Sequence, residues 1–179
     1  AQKKVEVMSH VPQAISAFDD SILDMLQVKE AGNLQFHIPN LTFSDTSSGA
    51  ANLTLRGVGN TATIAGADSG VGIHINDVYI NSGSLGGNFF DLQQVLVLRG
   101  PQGTLYGRNS TGGAINIITN RPNYEHEGYI ESSVGSFGNR SVEGAVSIPI
   151  SDSVRFRLAG LTIESDGYTK NEHTGNYIN

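Results

Sequence analysis

Chemistry in this 179-residue chain could be housed in five histidines, one short Gly/Ser motif, a glycine-rich loop, or two arginines at strand ends. His10, His37, His74, His126 and His173 are scattered without metal-ligand spacing, so no metal site follows from them. Gly83-Ser-Leu-Gly86 misses the Gly-x-Ser-x-Gly nucleophile elbow, and no Ser/His/Asp set can be assembled by spacing. Residues 100–113 hold five glycines but neither a Walker-type Gly-Lys-Ser/Thr ending nor a strand–Gly-x-Gly-x-x-Gly–helix arrangement, so this loop is not a phosphate cradle. No catalytic residue, metal or cofactor is expected. Arg56-Gly57 and Arg99-Gly100 remain, each closing an apolar run. A solvated strand end is the plain reading of such an arginine. Its alternative use is a charge-assisted, often bidentate pair with a carboxylate.

The elements that must position these residues centre on residues 95–119. Val95-Leu-Val-Leu98 is a continuous apolar run, read as a strand buried on both faces and stopped by Arg99-Gly-Pro101. Ala114-Ile-Asn-Ile-Ile118 is a second strand. Between them Thr104-Leu-Tyr106 has room for one helical turn, and Gly103, Gly107, Gly112 and Gly113 allow positive φ and close backbone approach. Upstream, Gln13 to Phe18 reads as a strand, and Asp19 or Asp20 as the N-cap of a helix carrying Ile22, Leu23, Met25 and Leu26. A second helical pattern over residues 29–37 closes at Pro39. Residues 44–52, 59–70 and 81–90 are loops by composition, with a short strand at 53–55. Val71 to Ile75 and Val78 to Ile80 alternate around Asn76-Asp77 as a β-hairpin.

Leu98-Arg-Gly-Pro-Gln-Gly-Thr-Leu-Tyr-Gly-Arg-Asn-Ser-Thr-Gly-Gly-Ala-Ile-Asn-Ile-Ile-Thr119 closely resembles the plug signature of TonB-dependent outer-membrane receptors. Its signature positions here are Gly100, Pro101, Gly103, Tyr106, Gly107, Gly112 and Gly113. Val11-Pro-Gln-Ala-Ile-Ser-Ala-Phe18, Ile38-Pro-Asn-Leu-Thr-Phe43, Leu53-Thr-Leu-Arg-Gly-Val-Gly-Asn60 and Val71-Gly-Ile-His-Ile-Asn-Asp-Val-Tyr79 follow in the family's order. There are departures. Gln93-Gln94-Val95-Leu96 stands where relatives carry a Glu-Arg-Val-Glu type of run, and Asn76-Asp77 replaces the usual Asp-Gly turn.

After Arg121-Pro-Asn123 the pattern changes. Val142, Gly144, Val146, Ile148 and Ile150 point one way in an extended strand, with Glu143, Ala145 and Ser147 opposite. Val154, Phe156 and Leu158 alternate with Arg155 and Arg157 in the next strand, and the apolar phase slips at Gly160, where a bulge is expected. With Tyr129 to Gly135 this makes three antiparallel strands of membrane-spanning length. Three strands cannot close a barrel, and an open edge in lipid is not tolerated, so the chain is expected to be an N-terminal piece of a larger protein.

Net charge is −6 and pI about 5.2, which argues against nucleic acid as a partner. Cysteine is absent, so disulfides and thiolate metal sites are excluded. The resemblance implies an α+β plug domain, a small mixed β-sheet with short helices, over residues 1–122, followed over 123–179 by the first antiparallel strands of a transmembrane β-barrel in the bacterial outer membrane. It implies a truncated N-terminus, because the family's TonB-binding segment precedes the matched region, and an incomplete C-terminus. It further implies import, without enzymatic chemistry, of a scarce small-molecule ligand such as a ferric siderophore, driven by TonB and its inner-membrane complex. Arg56 and Arg99 match positions that pair with barrel-wall glutamates beyond Asn179 and lock the plug. Asn60, Asp68, Asn81, Phe89 and Phe90 are the ligand-facing loop candidates. A ligand-sensing or stand-alone plug-like binding module is the alternative, and a secreted β-rich enzyme a distant third.

Overall fold

Asp19 shows how local chemistry sets the first boundary. Strand β1 (Ala14–Asp19) ends where the Asp19 carboxylate accepts the Ile22 N–H at 2.9 Å, capping helix α1 (Asp20–Met25). That hydrogen bond, helped by one from Ser21, holds the Asp19 carboxyl below its ordinary range. The structure, a computed structural model, describes residues 14–45, 51–59, 69–80, 88–166, 169–170 and 177–178. The chain divides into two compact units, Ala1–Asn120 and Arg121–Asn179.

In the first unit a 3₁₀ helix, Ala31–Phe36, follows α1, its start fastened by the Asn33 side chain, which accepts from the N–H groups of Lys29 and Glu30. Then come β2 (Leu41–Asp45), β3 (Ala51–Leu55), β4 (Val58–Gly59), β5 (Val71–Ile75), β6 (Val78–Ile80), β7 (Leu92–Arg99), α2 (Gly103–Tyr106) and β8 (Gly113–Thr119). A five-stranded mixed sheet runs β1-β7-β8-β5-β6, parallel only between β5 and β8; β2, β3 and β4 form a second, antiparallel sheet. Small mixed sheet and short helices match the expected α+β architecture.

β7 is buried on both faces, as its unbroken apolar run implied. Val95 and Val97 join the main core with Leu34, Leu53, Leu55, Val71, Ile73, Ile115 and Ile117. Leu98 faces the other way, onto Tyr106 and Ala114, with Ile15, Leu96 and Leu105 packed around them. Two expectations need correction. Residues 44 and 45 belong to β2, and 51 and 52 to β3, so the loop read across 44–52 narrows to residues 46–50, which lie outside the described residues. Polar Thr42, Ser44 and Asp45 disguised a strand whose Leu41 and Phe43 stand opposite Leu55 and Leu53. The β5–β6 hairpin forms around Asn76-Asp77, both at positive φ, and β5 also pairs with β8, which the hairpin reading missed.

The second unit is a sheet ordered β11-β10-β9, from β9 (Glu127–Val134), β10 (Arg140–Ser151) and β11 (Val154–Glu164), with a two-residue pair β12 (Thr169–Lys170) and β13 (Tyr177–Ile178). The bulge expected at Gly160 is absent: Gly160 pairs squarely with Gly144, and the register shifts instead between Pro149 and Ser151. The phase slip is one of hydrophobicity, since Leu161 and Ile163 continue the row of Arg155 and Arg157 without a backbone irregularity there.

Candidate functional site

The corner between β7 and β8 is closed by its own backbone. Gly100 N–H donates to Gly112 O (3.0 Å), Gln102 N–H to Ser110 O (2.8 Å), Tyr106 N–H to Gln102 O (2.9 Å) and Gly107 N–H to Gly103 O (3.1 Å). Ser110 Oγ donates to Gly107 O at 2.6 Å, and Gly112 N–H reaches Gly70 O at 2.8 Å. These donors are therefore spent internally rather than directed at an anion, in keeping with the lack of a phosphate motif. The glycines do different work from one another. Gly107 and Gly113 take positive φ, whereas Gly112 does not: a Cβ there would lie 2.7 Å from the Val58 Cβ, so its role is close approach. Gly103 meets neither condition, with open space around it.

Behind the corner lies a polar cluster that sequence reasoning missed. Asn116, 1% exposed in the middle of β8, donates from Nδ2 to Asp77 Oδ1 at 2.8 Å and accepts the Asp77 N–H at 3.2 Å. Asn76 grips the end of the same strand: its N–H donates to Ile117 O (2.9 Å), and its side chain accepts the Thr119 N–H (3.1 Å). Asp77 thus holds a left-handed φ of 67° with a matched pair of hydrogen bonds offsetting the strain that glycine would avoid. Buried His74 packs edge-on to Tyr106 (4.8 Å between ring centres) and Tyr79 (5.7 Å), and Asn109 Nδ2 donates to the Tyr79 hydroxyl at 3.0 Å. Burial, then the Asp77 charge, pushes the Tyr106 hydroxyl up from its ordinary value, opposed by a hydrogen bond with Asn116. The cluster ties α2, the β5–β6 turn and β8 into one body. Its signals were an Asp where a turn ordinarily has Gly, and an Asn inside an isoleucine run, both of which demand a partner.

The two arginines stand in unlike settings. Arg56 is exposed at φ 54°, in the turn from β3 to β4, with its N–H bonded to Asn40 O at 2.8 Å. Arg99 is half-buried at the end of β7, and its guanidinium donates to Ser16 Oγ on β1. Its Nε is buried without an acceptor among the described residues. Of the loop candidates, Asn60, Asp68 and Asn81 lie outside the described residues. Phe89 packs partly buried on the main core, its N–H on Lys29 O at 2.7 Å, while Phe90 is 39% exposed. Among the described residues no three His, Asp or Glu side chains are grouped as a metal site would need.

The second unit inverts the usual burial. On β10 and β11 the apolar row is exposed, Leu158 by 60%, while Ala145 and Ser147 on the opposite row are 7% and 0% exposed. Arg157, on that opposite row, donates to Ser147 Oγ (2.9 Å) and pairs with Glu127 (3.2 Å). Tyr129 donates to Glu143 at 2.5 Å, and the Arg155 guanidinium lies 3.9 Å from the centre of the Tyr124 ring.

Residues 7–114 match the model of the TonB-dependent Receptor Plug Domain. The chain is similar to the pesticin receptor of Yersinia pestis, 31% identical over 155 residues, covering 86% of this chain and 21% of that protein. It is also similar to the ferripyoverdine receptor of Pseudomonas aeruginosa, 26% identical over 97% of this chain and 21% of that one. Among solved structures, the ferric yersiniabactin uptake receptor FyuA from Yersinia pestis superposes with a TM-score of 0.83 at 29% identity, covering 92% of this chain and 26% of that chain. The chain thus spans about a fifth of the length of the curated relatives it matches.

Proposed function

The chain belongs to the TonB-dependent receptor family, whose plug model covers well over half of it, and from that premise we propose that it forms the plug and opening wall strands of an outer-membrane importer. Its location is the bacterial outer membrane, where its relatives act as receptors. Residues 1–122 are the plug and 123–179 the start of the barrel. One observation carries the reading: β10 and β11 expose their apolar row, Val146, Ile148, Phe156 and Leu158 among it, while Ala145 and Ser147 on the opposite row of β10 are buried. Water would favour the reverse, whereas a barrel wall with lipid outside and a polar lumen inside requires it.

The ligand is a ferric siderophore or a comparably scarce molecule, the class that the names of the similar receptors state for those proteins. TonB pulls on the segment ahead of β1, and the plug rearranges to open a path. Arg56 and Arg99 hold the plug by charge-assisted pairs with wall carboxylates; the acceptor-less Nε of Arg99 supports this, being a donor that such a carboxylate would satisfy. Phe90 and the loops carrying Asn60, Asp68 and Asn81 face the ligand. Bond making and breaking has no part in this cycle.

The test begins with isolated outer membranes, in which peptides from residues 95–119 should belong to a polypeptide several-fold heavier than 19.0 kDa. Iron-starved cells carrying it should then accumulate radiolabelled iron from ferric yersiniabactin or ferripyoverdine only when TonB is intact. A soluble 19.0 kDa species would sink the importer reading. Binding without TonB-dependent accumulation would make the protein a sensor.

A further inference from the structure

We propose that Arg121-Pro122-Asn123 is a bounded hinge joining the two units, closed on one side by a clasp on Asn120 and on the other by a strap in which Arg155 and Arg157 of β11 hold Tyr124 and Glu127. The chain passes from the first unit to the second between Asn120 and Arg121. Asn120 is fastened to the start of β7. Its N–H donates to Asp91 O (3.0 Å), and its Nδ2 donates to the Asp91 carboxylate (3.0 Å) and to Leu92 O (3.2 Å). Asp91 is 8% exposed, so the clasp belongs to the interior of the first unit.

The strap is built across strands. Glu127, Ser147 and Arg157 share one row of the β9-β10-β11 register, and the Arg157 guanidinium spans it, donating to Ser147 Oγ (2.9 Å) and pairing with Glu127 (3.2 Å). A fully solvated pair of this kind would hold little. Here the Arg157 side chain is 8% exposed and Ser147 is covered, so the tie is sheltered. Two residues back along β11, the Arg155 guanidinium lies 3.9 Å from the centre of the Tyr124 ring, a cation–π contact to an otherwise exposed aromatic. Both ties stand where the backbone is weakest. Among the described strands β9 lies at a sheet edge, exposed at every residue, and its ladder onto β10 stops at Glu127↔Ser147, short of Pro149, which has no N–H to donate. Without the strap, a disturbance arriving from the first unit would open that ladder from its end, rung by rung. Between clasp and strap, Pro122 fixes its own φ and biases Arg121 toward extended backbone, so few torsions are left to turn. The Cα atoms of Asn120 and Tyr124 can part by no more than about 14 Å. Any larger movement must first break the clasp or the strap.

That the hinge serves plug movement rests on the importer reading above; its bounds do not, and hydrogen exchange in the full-length receptor in lipid nanodiscs tests them. Arg157→Met should speed exchange at residues 127–130 about tenfold, and Asn120→Ala at residues 119–120 by about as much. Tyr124→Leu should speed residues 124–126 about threefold, while Tyr124→Phe, which keeps the ring face, matches wild type. Absence of any of these accelerations, or equal acceleration in Tyr124→Phe, overturns the proposal. Isolation is tested by disturbing the first unit with Gly112→Ala, whose Cβ would crowd Val58. With the strap intact, the faster exchange should end at Asn120. In the Tyr124→Leu/Arg157→Met background it should reach residues 127–130, by about a further twofold or more. An equal response of β9 in the two backgrounds, whether faster or unchanged, overturns the strap as a boundary. Uptake of radiolabelled iron tests the importer reading apart from this. Its failure in wild-type cells with TonB intact would count against that reading and leave the exchange results, and the hinge, standing.

Discussion

The five-stranded sheet of the first unit and the β11-β10-β9 sheet of the second obey opposite burial rules. In the first unit, β5, β7 and β8 turn Val71, Ile73, Val95, Val97, Ile115 and Ile117 into a core, and their exposed positions lie at strand ends and edges. In the second, the alternation is equally regular, yet Val146, Ile148, Phe156 and Leu158 face outward while Ala145 and Ser147 are covered. Alternation identifies a two-faced strand and leaves open which face meets solvent. The choice depends on what the solvent is, and the importer reading sets the exposed apolar row of β10 and β11 against lipid.

The largest effect that can break this contrast is a charge placed in each apolar set. Ile115→Asp buries a carboxylate among Val95, Val97 and Ile117 and should cost more than about 4 kcal/mol, read as loss of folded receptor in detergent and bilayer alike. Leu158→Arg should cost about 2–4 kcal/mol when urea unfolding is followed in lipid vesicles and little in detergent micelles. Equal stability of Leu158→Arg and wild type in vesicles would remove the lipid-facing assignment.

A second contrast lies within the corner. Gly112→Ala drives a methyl group against Val58 and should cost about 1–3 kcal/mol. Gly103→Ala, with open space and a helical position, should stay within about 0.5 kcal/mol of wild type. If the two variants unfold at the same denaturant concentration, the close approach of the corner to β4 is wrong.

The turn that departs from the family's pattern supplies a third. Asn116→Leu strips Asp77 of both hydrogen bonds while leaving its positive φ, and should cost about 1–3 kcal/mol. Adding Asp77→Gly should recover much of that loss, because glycine needs no compensation at that φ. Additive losses in the double variant would mean that the Asp77–Asn116 pair does not offset turn strain.

These contrasts also mark what the sequence made legible. Residues 95–119 and the Asn76-Asp77 hairpin were readable because their signals are local: an unbroken apolar run, glycines at a turn, two turn residues between alternating strands. β2 was not, since Thr42, Ser44 and Asp45 have loop composition and only pairing with β3 reveals the strand. The Asn116 tie was hidden by topology, because the parallel β5–β8 pair sets His74 beside Asn116 across 42 residues of chain. Arg99 was singled out for its place after an apolar strand, but its bond to Ser16 requires β1 at the sheet edge. For Gly160, hydrophobic phase was mistaken for backbone phase. Leu161 and Ile163 show that a wall strand can carry apolar residues on both rows near its end without a bulge.

The smallest expected effect tests whether the polar cluster behaves as one body. Burial and the Asp77 charge raise the Tyr106 hydroxyl, so the folded state keeps its proton where the unfolded chain begins to lose it. Stability from this group is complete below its ordinary value of 10.0 and declines as pH rises toward the folded value. Wild-type plug stability should therefore fall above about pH 10, and Tyr106→Phe should flatten part of that alkaline limb while leaving neutral-pH stability little changed. The readout should be local, through hydrogen exchange of β8 and α2 amides, so that it reports on this corner alone. Asp77→Asn separates the two causes. It removes the charge and keeps the burial, so the alkaline limb should shift only part of the way toward that of Tyr106→Phe. An unchanged limb in Asp77→Asn would leave desolvation as the sole cause and detach the turn from the electrostatics of the corner.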